Sequence, residues 1–211
     1  MMNNVPRIFT EAFMHMYNRF KTGTLLEFGV GSGNSYLQQV FLMNMFSVNY
    51  TLIGFDSFEG LPDEQNSVWR PEHWHKGAFK YSKDVLTERL MQEFGRVIDG
   101  KQLRLVEGWY ENTLTKELQQ SLNNVVFINV DVDLYASAME VLRFVRPLLQ
   151  EGTVIYFDDW KDPTFNPPSA DSEWGEHLAM GHWLAENPRL VMQKVAANTL
   201  NQCFWEVLKC S

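Results

Sequence analysis

The chain has 211 residues, 45% of them hydrophobic and 14% aromatic, with a formal net charge of −8. That is long enough for one full core and too apolar for a disordered chain. No basic face is evident and no block of five like charges occurs, so nucleic acid is not an expected main partner.

The opening Met1-Met-Asn-Asn-Val-Pro6 lacks the basic-then-apolar order of a signal peptide, and no apolar run reaches the length of a membrane span. A soluble, cytoplasmic protein with no membrane partner is expected. Two cysteines, Cys203 and Cys210, make neither a disulfide framework nor a zinc site. Cys203 is expected to pack in a strand and Cys210 to sit on a frayed tail.

Residues 1–211 read as a single domain, with an N-terminal helical part over 1–23, a lid insertion at 57–83 and a substrate loop at 161–172. The first helix, 7–21, carries Ile8, Phe9, Phe13, Met16 and Phe20 near one face, and such an aromatic helix would suit a homo-oligomer. A strand at 24–28, a helix at 33–46 and a strand at 50–55 follow. From Ser57 to Lys83 the pattern breaks down around Pro62, Pro71, Trp69, His73, Trp74 and His75. Connections that long are often functional lids.

Regular structure resumes with a helix at 84–94, a strand at Leu103–Glu107 and, after Gly108-Trp109-Tyr110, a helix to 121. Val125–Val130 is nearly continuous apolar sequence, as in a strand buried on both faces. A helix at 135–149 and a strand at 153–157 complete another β-α-β unit. Beyond the proline-rich Lys161–Ser172 come a helix at 173–186 and two runs, 189–196 and 202–208, joined by Asn198–Asn201 as an antiparallel hairpin. The expected fold is α/β: a doubly wound, mostly parallel, seven-stranded Rossmann-like sheet with a C-terminal antiparallel hairpin.

Glu27-Phe-Gly29-Val-Gly31-Ser-Gly33-Asn34 joins the first strand to its helix, and the second strand ends at Asp56-Ser57. This layout binds a nucleoside at the edge of a parallel sheet. The glycines let backbone approach a ligand, and helix N-terminal amides favour an anionic group. A carboxylate such as Asp56 can accept both ribose hydroxyls. A dinucleotide fingerprint would place its third glycine at position 34, where Asn34 stands, and Glu27 would repel a diphosphate but attract an ammonium. The bland alternative is a plain glycine turn. E-x-G-x-G-x-G with an acid ending strand two resembles motifs I and II of class I S-adenosylmethionine methyltransferases. The resemblance implies that Glu27 lies near the methionine amino group and that Asp56 holds the ribose. The expected cofactor set is Glu27, Gly29, Gly31, Gly33, Asp56, Ser57, Gly108, Trp109 and Asp131, with Trp109 either flanking adenine or packing in the core.

A second constellation lies further on. Asn129-Val-Asp131-Val-Asp133-Leu-Tyr135 closes one buried strand and Phe157-Asp158-Asp159-Trp160 the next. Ligands of open α/β sheets bind beyond the carboxyl ends of strands, so Asp131, Asp158 and Asp159 should converge on the mouth faced by Glu27 and Asp56. Crowded carboxylates raise one another's pKa unless a cation neutralises them, and an oxygen-only set suits Mg²⁺, Mn²⁺ or Ca²⁺. Asp133 is expected to cap the following helix.

Gly54-Phe-Asp-Ser-Phe-Glu-Gly-Leu-Pro62, Val130-Asp-Val-Asp-Leu-Tyr135, Val154-Ile-Tyr-Phe-Asp-Asp-Trp160 and Glu107-Gly-Trp109 together resemble the macrocin (macrolide sugar) O-methyltransferase family, over about residues 24–160. The resemblance implies a methyltransferase sheet, S-adenosylmethionine as cofactor, and Mg²⁺ or another divalent cation on Asp131, Asp158 and Asp159. Val132 stands where that family usually has glycine. The implied reaction is O-methylation of a small-molecule hydroxyl, such as a natural-product sugar, with the cation lowering the hydroxyl pKa. Asp131 would ligate the metal, take the proton, or both. His73 and His75 are rival bases or lid residues, and Lys161 a base or a surface lysine. His177 and His182 are read as packing residues of a helix. The alternatives are methylation of an amine or a protein side chain, or a non-catalytic S-adenosylmethionine binder. A dinucleotide oxidoreductase is disfavoured by Asn34 and Glu27.

Overall fold

A computed structural model describes residues 5–63, 73–160, 175–198 and 201–210. Its centre is the strand pair β1 (Thr22–Phe28) and β4 (Val125–Val130), which lie side by side in parallel. From β1 the chain passes through α2 (Asn34–Met45) to β2 (Asn49–Asp56), then through α3 (Lys83–Phe94) to β3 (Leu103–Glu107) at one edge. It then crosses back to β4 and runs outward the other way through α6 (Tyr135–Val145) to β5 (Val154–Phe157). The antiparallel pair β6 (Val191–Ala197) and β7 (Cys203–Lys209) completes the sheet, in the order β3-β2-β1-β4-β5-β7-β6. The loops after β1 and β4 therefore leave in opposite directions, and this switch point opens the crevice where α/β sheets bind ligands.

Every residue of β4 is buried, as a central parallel strand requires. Alternation along the strands feeds two cores. Leu26, Phe28, Ile128, Val130, Ile155 and Phe157 face α6 and α7 (Gly175–Glu186). Leu25, Leu52, Phe127 and Tyr156 face α2, α3 and α1 (Arg7–Arg19). Phe9 of α1 meets Tyr156 and Phe127 edge-on, with ring centroids 5.0 and 5.8 Å away. Burying such a side chain stabilises the fold by roughly 1.5–3 kcal/mol, which fixes α1 over β4 and β5 beside the crevice.

Seven strands, their order of type and the terminal hairpin agree with the sequence expectation; several boundaries and caps differ. The first helix stops at Arg19 rather than 21, because Phe20 turns extended and its carbonyl accepts the Tyr50 hydroxyl. The expected helix to 121 is two, α4 (Tyr110–Thr113) and α5 (Lys116–Ser121), since the Thr115 side chain caps the second by accepting from the Leu118 amide. The helix expected to reach 149 passes after Val145 into a 3-10 turn at Arg146–Leu148, where Pro147 cannot supply an amide. Cys210 is not frayed: its carbonyl accepts from Arg146 and its thiol donates to the Leu149 carbonyl. Asp133 does not cap α6; Leu134 holds the cap position, with no side-chain bond to the helix. Residues 64–72 of the lid, and the 161–172 loop with Lys161, lie outside the described residues.

Candidate active site

The crevice at the switch point is a cleft of about 880 Å³. Its floor begins at the glycine turn. Gly29 has φ +83°, and a β-carbon there would lie 1.7 Å from the Asp131 carbonyl oxygen. Only glycine lets the ends of β1 and β4 come this close. The turn is tied to the end of β2: Asp56 accepts from the Gly31 amide at 2.7 Å and from the Phe58 amide at 2.6 Å. One bond on each oxygen leaves lone pairs for two further donors, such as vicinal hydroxyls. On the far side, Arg89 of α3 donates to the Ser32 carbonyl at 2.8 Å and to Asn34 Oδ1 at 3.1 Å, bracing the turn.

Gly29, Gly31, Asp56, Ser57, Gly108, Trp109 and Asp131 all line the cleft. Gly33 is the left-handed cap of α2, φ +81°, packed on Leu86. Glu27 sits deeper. It is fully buried, accepts from the Ser35 hydroxyl at 2.7 Å and from the Gln39 amide, and is pushed up to about 8, chiefly by burial.

The three carboxylates converge as their strand-end positions imply. Asp131, Asp158 and Asp159 each offer an oxygen within 4.8 Å of the others. One divalent ion with oxygen bonds of about 2.0–2.6 Å spans such a set. Enclosure by protein, then the charges of Asp158 and Asp159, hold the Asp131 carboxyl well above the usual range, as expected of acids crowded without a countercharge. Tyr156 donates its hydroxyl to Asp158 at 2.7 Å, orienting that carboxyl group.

Two buried residues that the sequence reading passed over shape this cluster. Glu176, in the first turn of α7, accepts the Val132 amide through one oxygen and the Asp159 amide through the other, both at 3.0 Å. It joins the loop after β4 to the loop after β5, and burial, followed by the Asp159 charge, raises its carboxyl. An acid in a first helical turn ordinarily signals only dipole compensation, so its role was hidden. Asn129 lines the cleft below Asp131; it is the one polar side chain in Val125–Val130, a signal that was available.

Within the segment expected to be a lid, the Trp74 indole N–H donates to Asp133. Asp133 has φ +59° and a carboxyl raised by burial and then by Asp159. Phe79 and Tyr81 line the cleft above the glycine turn. His73 and His75 are exposed and lie outside the cleft lining, His75 against the Lys76 carbonyl. His177 packs on Trp160, and His182 bonds the Tyr135 hydroxyl. Among the described residues, no helix is long and apolar enough to cross a membrane.

A profile of the macrocin-O-methyltransferase (TylF) family matches residues 7–166. The chain is 27% identical over 145 residues to the 8-demethyl-8-(2,3-dimethoxy-alpha-L-rhamnosyl)-tetracenomycin-C 4'-O-methyltransferase of Streptomyces olivaceus, covering 65% of this chain and 53% of that one. It is 26% identical over 156 residues to the demethyldecarbamoylnovobiocin O-methyltransferase of Streptomyces niveus, covering 71% and 56%. The chain thus spans about half the length of these curated relatives. The solved structure of the O-methyltransferase NovP superposes with a TM-score of 0.75 at 18% identity, covering 96% of this chain and 78% of that one.

Proposed function

Because this chain belongs to the macrocin-O-methyltransferase (TylF) family, we propose that it is an S-adenosylmethionine-dependent O-methyltransferase acting on a hydroxyl of a small molecule, with a sugar of a natural product as the acceptor class. The observation that carries the reading is one cleft lined both by a glycine turn beside a strand-end carboxylate and by a trio of carboxylates. Gly29, Gly31 and Asp56 form the first; Asp131, Asp158 and Asp159 form the second.

In this reading Asp56 accepts the ribose hydroxyls, and Gly29 and Gly31 admit the cofactor against bare backbone. Ser57, Gly108 and Trp109 line the nucleoside side of the cleft. Asp131, Asp158 and Asp159 would hold the divalent cation, which when bound lowers the pKa of an acceptor hydroxyl and orients it. In its ionised form Asp131 would accept the hydroxyl proton, hold the cation, or do both. Tyr156 and Glu176 keep the acid loops in register. Orienting the acceptor oxygen in line with the methyl group contributes roughly 7–11 kcal/mol towards the barrier. His73 and His75 remain candidate bases only if the lid brings them inward.

The test is calorimetry with S-adenosylmethionine on wild type and Asp56→Ala, followed by methyl transfer to vicinal-diol sugars with and without EDTA. Binding that Asp56→Ala removes, and transfer that EDTA stops and Mg²⁺ restores, is the expected result. Absence of cofactor binding to wild type would sink the reading. Transfer indifferent to EDTA would remove the metal, and transfer to amines alone would replace the acceptor class.

A further inference from the structure

β1, β4 and β5 are in register at Glu27, Asn129 and Tyr156, so these three side chains form a row across one face of the sheet. The two ends of the row are engaged: Glu27 by Ser35 and Gln39, Tyr156 by Asp158. Asn129, between them, is 1% exposed and lines the cleft. Its amide reaches toward Glu27 and opposes the effect of burial there, but that contact falls short of hydrogen-bond geometry, and neither its Oδ1 nor its Nδ2 meets that geometry with any partner among the described residues. A buried amide unpaired on both atoms destabilises a fold and is rare in native proteins. Its position makes sense if a ligand completes it.

We propose that Asn129 binds the amino-acid end of the methyl donor, its Oδ1 accepting from the ammonium and its Nδ2 donating to the carboxylate. This assignment rests on the methyltransferase reading above. An amide carries an acceptor and donors on one carbon, the complement of an α-amino acid's charged pair. Position supports the donor over the acceptor: Asn129 lies two residues below Asp131, beside β1 and the glycine turn, whereas the carboxylate trio sits at the strand ends. Glu27 does not line the cleft, so the Asn129 amide rather than the Glu27 carboxyl is the group that a ligand there meets.

Calorimetry on the full chain tests this with three ligands: S-adenosylmethionine, decarboxylated S-adenosylmethionine and methylthioadenosine, which lacks the amino-acid end. Hydrogen bonds to charged groups correspond to roughly tenfold or more in affinity each. Asn129→Leu should weaken S-adenosylmethionine at least tenfold, leave methylthioadenosine within about twofold, and melt no lower than wild type because an unpaired amide is gone. Asn129→Asp keeps the acceptor and loses the donors, so it should weaken S-adenosylmethionine but not the decarboxylated ligand; this arm decides if the leucine variant fails to fold. Equal losses for all three ligands, or no loss, would overturn the assignment. So would an unchanged donor affinity with a raised KM for the acceptor. A wild type that binds none of them would instead overturn the methyltransferase reading.

Discussion

Gly29 and Asp131 touch backbone to backbone: a single methyl group on Gly29 would stand 1.7 Å from the Asp131 carbonyl oxygen. The glycine turn and the carboxylate cluster are thereby one rigid unit, further tied by the Asp131 amide donating to the Phe28 carbonyl at 2.9 Å. Gly29→Ala must either spread β1 from β4 or leave its left-handed conformation. We expect destabilisation on the order of 3 kcal/mol or more, read as a fall in the urea midpoint. An alanine variant with wild-type stability would show that the strands part freely.

Glu176 and the acid cluster make a second case of distant sequence acting on one site. Glu176→Gln keeps the size but offers one acceptor where two amides, Val132 and Asp159, now donate. Loss of one buried bond should cost about 1–3 kcal/mol in urea unfolding. Mg²⁺ affinity measured by calorimetry should fall several-fold, because Asp159 is no longer held against Asp131. A stability loss with unchanged Mg²⁺ affinity would make Glu176 purely structural.

The buried row at Glu27 carries a pH signature. Its carboxyl moves from 4.5 to about 8, chiefly through burial, so the folded state retains a proton that the unfolded chain releases. Between those values the folded protein binds more protons, and stability from this group falls as pH rises. It is fully present below 4.5 and lost by about 8, at most on the order of 5 kcal/mol across the window. Glu27→Gln removes the titration, and Gln39, whose Oε1 has no partner, can turn its amide to receive the new donor. Thermal melts should therefore show the variant gaining on wild type as pH climbs through that window. Parallel curves would mean that the carboxyl titrates normally.

Much of this architecture is legible in the chain because strand identity and strand-end chemistry are local. Val125–Val130 reads as a buried strand, and an acid two residues past an apolar run, as at Asp131, has only the crevice to face. Asp56, Asp158 and Asp159 follow the same logic. What the sequence hides is set by contacts between distant segments. Asp133 looks like a helix cap but bonds to Trp74, 59 positions away in the chain. Glu176 looks like an ordinary first-turn acid until α7 is docked against the loops after β4 and β5. Glu27 reads as a carboxylate facing the mouth, where it would attract an ammonium, whereas α2 covers it with Ser35 and Gln39.

The Trp74–Asp133 bond also makes the lid testable. The Trp74 indole ties the 57–83 segment to the loop after β4, while the Leu61 amide on the Ala78 carbonyl and the Lys80–Glu59 ion pair close the segment on itself. The ion pair is exposed and contributes little, about 0–1 kcal/mol. Leaving the buried Asp133 carboxyl without its indole partner costs more, about 1–3 kcal/mol. Trp74→Phe keeps the ring over the cleft and removes only the N–H. Trypsin cleavage at Lys76 and Lys80 should accelerate at least tenfold, since proteolysis of an opened segment tracks the free energy of opening. S-adenosylmethionine should retard cleavage in both proteins if the lid closes over it, and acceptor KM should rise more than kcat falls. Equal cleavage rates would place the latch elsewhere, and a fall in kcat alone would give Asp133, released from Trp74, a part in the chemical step.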